Sequence, residues 1–218
     1  MAAIPLKPEY GPTLGRLLAP RWHAASRLAR AAVVALAVGM LALAIGVGLT
    51  LENAHYSYGG SVPFHLSYRG LYRVRPEAGA FVTLHQRSAE GQLRYSYSVS
   101  PIELGAYSIE PSAELALFAA HYQQALATRT PGFVLRGEGK TKISSNVAPG
   151  YEILYTATLE GRAFYGRNVL LLPEVSGAPQ GVAIAMLTAA GASKQVRGPA
   201  EVATTGVLQL PLKSFSFG

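Results

Sequence analysis

Two periodicities divide this chain. From Ala31 to Leu51 the sequence AAVVALAVGMLALAIGVGLTL runs twenty-one residues with no charge, Asn, Gln or Pro. A helix of that length spans about 30 Å, the thickness of a bilayer's hydrocarbon core, while satisfying its own backbone hydrogen bonds. A soluble core helix of this length would show a polar face, and none is present. The run therefore predicts a membrane-spanning helix over 31–51.

Beyond it the apolar positions alternate with a period near two, the signature of strands. Residues 52–61, rich in Tyr, Ser and Gly, read as a short tether. Alternation then predicts strands at Val62–Tyr68, Leu71–Arg75, Phe81–Arg87 and Leu93–Val99, the last two joined through Glu90-Gly91. On the fourth, Leu93, Tyr95, Tyr97 and Val99 share one face and Arg94, Ser96 and Ser98 the other, giving a core side and a more polar side.

One segment has the longer period. Pro111 suits the first helical position, and Leu115, Phe118, Ala119, Tyr122, Ala125 and Leu126 recur at spacings of three and four until Thr130-Pro131-Gly132 ends the run. After a polar, Gly-containing stretch read as a strand with a long loop come strands at Tyr151–Leu159 and Ala163–Leu172, reversed through Glu160-Gly161-Arg162. A turn at Ser176–Gln180 leads to a strand at Val182–Thr188, and Pro199 opens a short helix to about Thr205. This order predicts an α+β fold: an antiparallel β-sheet domain with one long packed helix and a short C-terminal helix, an α/β/α sandwich. The domain plan is 1–30 leader, 31–51 span, 52–61 tether and 62–218 folded domain.

Charge gives the direction of crossing. Residues 1–30 carry Lys7, Arg16, Arg21, Arg27 and Arg30 against Glu9, whereas the twenty residues after the span carry one cation, Arg69. Cations beside a span stay in the cytoplasm, so the expected protein sits in the plasma membrane, single-pass, N-terminus inside and the domain extracytoplasmic. The leader and the apolar run are both longer than a cleaved signal peptide's, and Glu52 occupies a position where a small residue precedes cleavage. The bilayer itself is the first expected partner, with Trp22 at interfacial depth. Ala35, Gly39, Ala42 and Gly46 form a small-residue stripe on which two such helices could pack as a homodimer.

Composition narrows the chemistry. The chain has no Cys, and every one of its twelve acidic residues is Glu. Thiolate and Asp-dependent mechanisms are excluded. The domain's excess charge is small and dispersed, which argues against nucleic acid as a partner. Gly139-Lys140-Thr141 lacks the first Gly of a phosphate loop, since position 134 is Val134, and Gly137-Glu138-Gly139 lacks the third Gly of a dinucleotide loop. The external histidines, His55, His65, His85 and His121, show no metal-ligand spacing. No catalytic residue, metal ligand or cofactor is assigned.

The candidate binding set lies on the early strands: Arg73, Arg75, Arg87 and Arg94 with Tyr95 and Tyr97. Arg73 and Arg75 are expected on one strand face, and Arg87 and Arg94 across the hairpin, as a cationic patch for an anionic headgroup, glycan or acidic partner. The duller account of the same residues is a solvated sheet face.

The order of elements, with Gly150-Tyr151-Glu152 opening the meander and Leu212-Lys213-Ser214-Phe215-Ser216-Phe217 closing the chain, resembles the PsbP-like α/β/α domains, including exported or membrane-anchored actinobacterial proteins. The resemblance covers about residues 62–218. It implies a non-enzymatic binding or assembly module, with no catalytic residues to carry over. The expected partner beside the bilayer is another envelope or membrane protein. This chain has a span where many relatives have a cleaved signal or a lipidated Cys. Two other readings stand beside it: a carrier of a lipid or small apolar ligand held between helix and sheet, and a hydrolase built on Glu and His.

Overall fold

The computed structural model describes residues 26–50, 53–77, 79–103, 111–143, 150–173 and 180–218. The leader up to residue 25, Leu51 and Glu52, and the turn expected over residues 176–179 lie outside them. The chain divides into two compact units between Glu52 and Asn53.

The first unit contains helix α1, Arg27–Thr50, 24 residues. At about 1.5 Å per residue it is about 36 Å long. Its backbone thus covers the expected span up to Thr50. Side chains in it are described only as far as Ala42, and among the described residues no helix is long and apolar enough to cross a membrane. Ala35, Gly39 and Ala42 are exposed, and nothing lies within 4 Å of a methyl built on Gly39.

The second unit contains two antiparallel sheets. The larger is assembled from β3 (Tyr72–Val74), β4 (Val82–Arg87), β5 (Leu93–Glu103), β6 (Val134–Thr141), β7 (Gly150–Leu159), β8 (Arg162–Leu171) and β9 (Gln180–Ala189) in the order β3-β4-β5-β9-β8-β7-β6. After β5 the chain crosses one face as helix α2, Pro111–Arg129, and re-enters at the far edge. The meander β6-β7-β8-β9 then walks back until β9 pairs with β5, from Tyr95↔Thr188 to Glu103↔Gln180. Leu159 pairs with Arg162, so the β7–β8 turn is Glu160-Gly161 alone, with φ of +51° and +72°. Positive φ at both central residues matches the twist of the flanking strands, which is why a Gly stands there. The Glu90-Gly91 reversal is looser: Gly91 has φ +80° and the register slips between Gln86 and Arg87.

The two faces of this sheet have separate cores. Beneath α2 lie Ile102, Ile153, Tyr155, Leu170 and Ala183, met by Leu115, Ala119 and Leu126 of the helix. Phe118 and Tyr122 are half-buried beside them, while Ala125, expected in the same stripe, is exposed. The opposite face is the larger core, built on Leu84, Tyr97, Val99, Ile184 and Met186.

That second face corrects two sequence expectations. Its cover is not a helix alone but the three-stranded sheet β1 (Ala54–Tyr58), β2 (Phe64–Tyr68) and β10 (Ser216–Phe217), in the order β1-β2-β10, together with helical turns. Strand β1 falls where a tether was expected. Its alternation is visible once paired, with Tyr56 and Tyr58 turned toward Phe64 at ring-centroid distances of 5.9 and 5.5 Å. The helix expected from Pro199 to Thr205 is only a 3₁₀ turn, Pro199–Glu201. A second 3₁₀ turn, Gly206–Leu208, runs into helix α3, Gln209–Lys213. Ala203, buried with φ +63°, reverses the chain between them and breaks the helical path.

Candidate functional site

Helix α2 packs over β7 and leaves β5 and β9 beneath its last turns uncovered. The result is a half-open cleft of about 510 Å³. Register explains its floor. Ser98 pairs with Ala185, Ser100 with Ala183 and Ser96 with Leu187, so small side chains stand where a core would need large ones. The three serine side chains make no hydrogen bond among the described residues.

The wall is a polar relay. The Tyr155 hydroxyl donates to Asn168 Oδ1 at 3.2 Å, and Asn168 Nδ2 donates to the Tyr122 hydroxyl at 3.0 Å. Arg129 Nη2 donates to the same oxygen at 3.3 Å, and its guanidinium carbon sits 5.4 Å from the Tyr122 ring centre. Asn168 is fully buried in a strand of apolar neighbours, and the two phenols satisfy its amide. Gly166 makes this arrangement fit: any methyl there would fall inside the Tyr155 ring, which lies across it. Burial raises the Tyr122 phenol above its ordinary range, although Arg129 and the Asn168 hydrogen bond pull it back. Burial pushes Tyr155 up as well. Both phenols stay protonated near neutral pH, so Tyr122, which already accepts two hydrogen bonds, has its own proton left to donate.

The rim carries the opposite charge. Ala80 N–H donates to the Glu77 carbonyl at 2.9 Å, and Glu77 N–H donates to Thr83 Oγ1 at 3.4 Å. These bonds hold the exposed Glu77 over the cleft. His85 stands opposite Ser96 in the β4–β5 register. Burial and Arg87 lower its pKa, and Glu77 partly offsets them. No hydrogen bond joins His85 to Ser96 among the described residues, so the pair does not form the nucleophile–base contact that acyl transfer needs. Among the described residues no group of three or more His, Cys, Asp or Glu could hold a metal ion.

Of the residues singled out in the sequence, Arg94 and Tyr95 meet, the guanidinium carbon 5.8 Å from the ring centre, but the set does not form one patch among the described residues. Tyr97 is fully buried in the opposite core, its hydroxyl donating to the Pro211 carbonyl at 3.3 Å. Tyr95, 8 % exposed, and Arg94 both donate to the Ala192 carbonyl, at 3.1 and 2.6 Å, fastening the turn after β9. Arg87 donates to the Gly91 carbonyl at 2.7 Å, so it caps its own hairpin instead of meeting Arg94. Arg73 lies 5.5 Å from the Tyr56 ring centre, and Arg75 is exposed beyond the end of β3. Helical spacing places Ala35, Gly39 and Ala42 in the first unit, where Gly46 is described only as helical backbone.

Sequence reading missed Asn168, Arg129 and Glu77. Asn168 did leave a signal: it is the polar residue at the head of Asn168-Val169-Leu170-Leu171-Leu172, a run otherwise built for burial.

No protein-family model and no curated protein matches this sequence. Solved structures do. LpqN of Mycobacterium tuberculosis, described as involved in cell envelope biogenesis, aligns with TM-score 0.51 and 10 % identity over 76 % of this chain and 91 % of LpqN. Cyanobacterial PsbP (CyanoP) from Synechocystis sp. PCC 6803 aligns with TM-score 0.50 and 11 % identity over 76 % of this chain and 92 % of CyanoP. The domain beginning at Asn53 has a PsbP-like fold.

Proposed function

We propose that this chain is a single-pass membrane protein, cytoplasmic at its N-terminus, that presents a non-enzymatic binding or assembly module outside the cytoplasm. It works within the envelope or as an accessory subunit of a membrane complex. The apolar run after Arg30 and the basic residues before it support the topology. The observation that carries the binding reading is the cleft beside α2, which has hydrogen-bonding walls and an open mouth. The description of LpqN as an envelope protein fits the same setting.

A reporter active only outside the cytoplasm, fused after Gly218, is expected to report, and the same reporter at Met1 to stay silent. The reversed pattern inverts the topology and ends the exported-module reading. Crosslinking in native membranes is expected to capture an envelope or membrane protein.

The carrier reading gains one specific observation, because a cavity does lie between helix and sheet. Its floor is a row of serines and alanines and it opens to solvent, which suits a polar ligand better than a lipid chain.

A further inference from the structure

We propose that the cleft beside α2 binds a small zwitterion, an amino acid or short peptide, holding its carboxylate at Arg129 and Tyr122 and its ammonium at Glu77. The inference rests on the binding reading above and is independent of the topology.

The donors come first. Arg129 spends one N–H on the Tyr122 hydroxyl and makes no ion pair among the described residues, where the salt bridge observed is Arg167–Glu152 on the other face of the sheet. Arg129 is exposed and lines the cleft, so its remaining N–H groups are open to a ligand there. Tyr122 cannot rotate away, because Asn168 and Arg129 both donate to its oxygen and Asn168 is itself fixed by Tyr155. A hydroxyl held from two sides presents its proton in a fixed place. A guanidinium and a phenol O–H side by side match the two oxygens of a carboxylate.

Glu77 decides between a simple anion and a zwitterion. Glu77 lines the same cleft from a turn whose backbone is tied to Thr83, and a dianion would bring its second charge to that acid. An ammonium group gains from it. Between the two charges the serine row supplies hydroxyls that donate or accept, as a peptide bond requires. The volume of about 510 Å³ falls within the usual size of small-molecule sites.

The test is calorimetric titration of the full-length chain in phosphatidylcholine nanodiscs with L-alanyl-L-alanine, its C-terminal amide and its N-acetyl derivative. The free dipeptide is expected to bind saturably. Amidation, Arg129→Gln and Tyr122→Phe are each expected to weaken it by about tenfold or more, since each removes a charge-assisted hydrogen bond. N-acetylation and Glu77→Gln are expected to cost about two- to fivefold, as suits a rim charge in water. Arg129 and Glu77 are exposed, so both variants keep the fold, and circular dichroism verifies it. Equal affinity for peptide and amide, or an unchanged Arg129→Gln variant, overturns the carboxylate assignment. Equal affinity for the N-acetyl form overturns the ammonium assignment. If no peptide binds at millimolar concentration the ligand class is wrong, and a partner still captured by crosslinking leaves the binding-module reading standing.

Discussion

Strands β5 and β9 carry two different proteins on their two faces. On one side Tyr97, Val99, Ile184 and Met186 are fully buried beneath the second sheet. On the other, one residue out of step, Ser98, Ser100, Ala183 and Ala185 floor an open cleft. The backbone, pairing and twist are common to both, so the difference lies entirely in side-chain size and polarity. The large face supplies the stability that lets the small face remain unfilled. A sheet packed heavily on both sides would have a stronger core and no room for a ligand.

Truncation separates the faces most sharply. Tyr97→Ala is expected to lose about 3–5 kcal/mol, because a fully buried ring leaves a cavity and the Pro211 carbonyl loses its donor. Its neighbour Ser98→Ala, one step along the strand, is expected to change stability by less than about 0.5 kcal/mol. Urea denaturation followed by circular dichroism measures both, and equal losses would erase the distinction.

A smaller effect is expected where the cleft wall meets its core. Gly166→Ala forces the Tyr155 ring off β8 and should cost about 1–3 kcal/mol by overpacking. It should also loosen Asn168 and Tyr122 and weaken dipeptide binding beyond what the stability loss explains. Retained binding in that variant would show that the relay does not position the site.

The mildest prediction concerns pH. In the folded protein His85 has a pKa below 6.5 because burial and Arg87 oppose its charge. The unfolded chain therefore takes up a proton first as pH falls below about 7, and ν_U exceeds ν_N. The His85 contribution is complete above the unfolded pKa and declines as pH drops through about 6.5 toward the lower folded value. Melting temperatures of wild type and His85→Gln should diverge less at pH 5 than at pH 7.5; a parallel pH response would remove His85 from the account.

The strands, the long helix and the reversal at Glu160-Gly161 were legible because each rests on local periodicity or backbone sterics. Even the polar side of β5 was legible, since Ser96 and Ser98 alternate with Tyr95 and Tyr97. What was not legible is what would cover its core side. Tyr95 and Tyr97, on that side, were also counted in a cationic surface patch with Arg94; the second sheet and the Ala192 turn arrive from distant parts of the chain to bury the two tyrosines, and Arg94 is half-buried. β1 was missed for the same reason: its Tyr and Ser alternate, but nothing local says what lies opposite. The cleft depends on Glu77, Arg129 and Asn168 meeting from a turn, a helix end and a strand, and no spacing along the sequence encodes that meeting.

Strand β10 pairs with β2, Ser216 with His65 and Phe217 with Phe64, and Phe215 stacks on Phe64 at 5.4 Å. The first part of the domain to emerge during synthesis is thus sealed by residues made some 150 positions later. Such a domain cannot lock itself segment by segment as it is made. Its first strands stay unsealed until residues 215–217 are delivered, so closure of this sheet is the last step of folding on the ribosome.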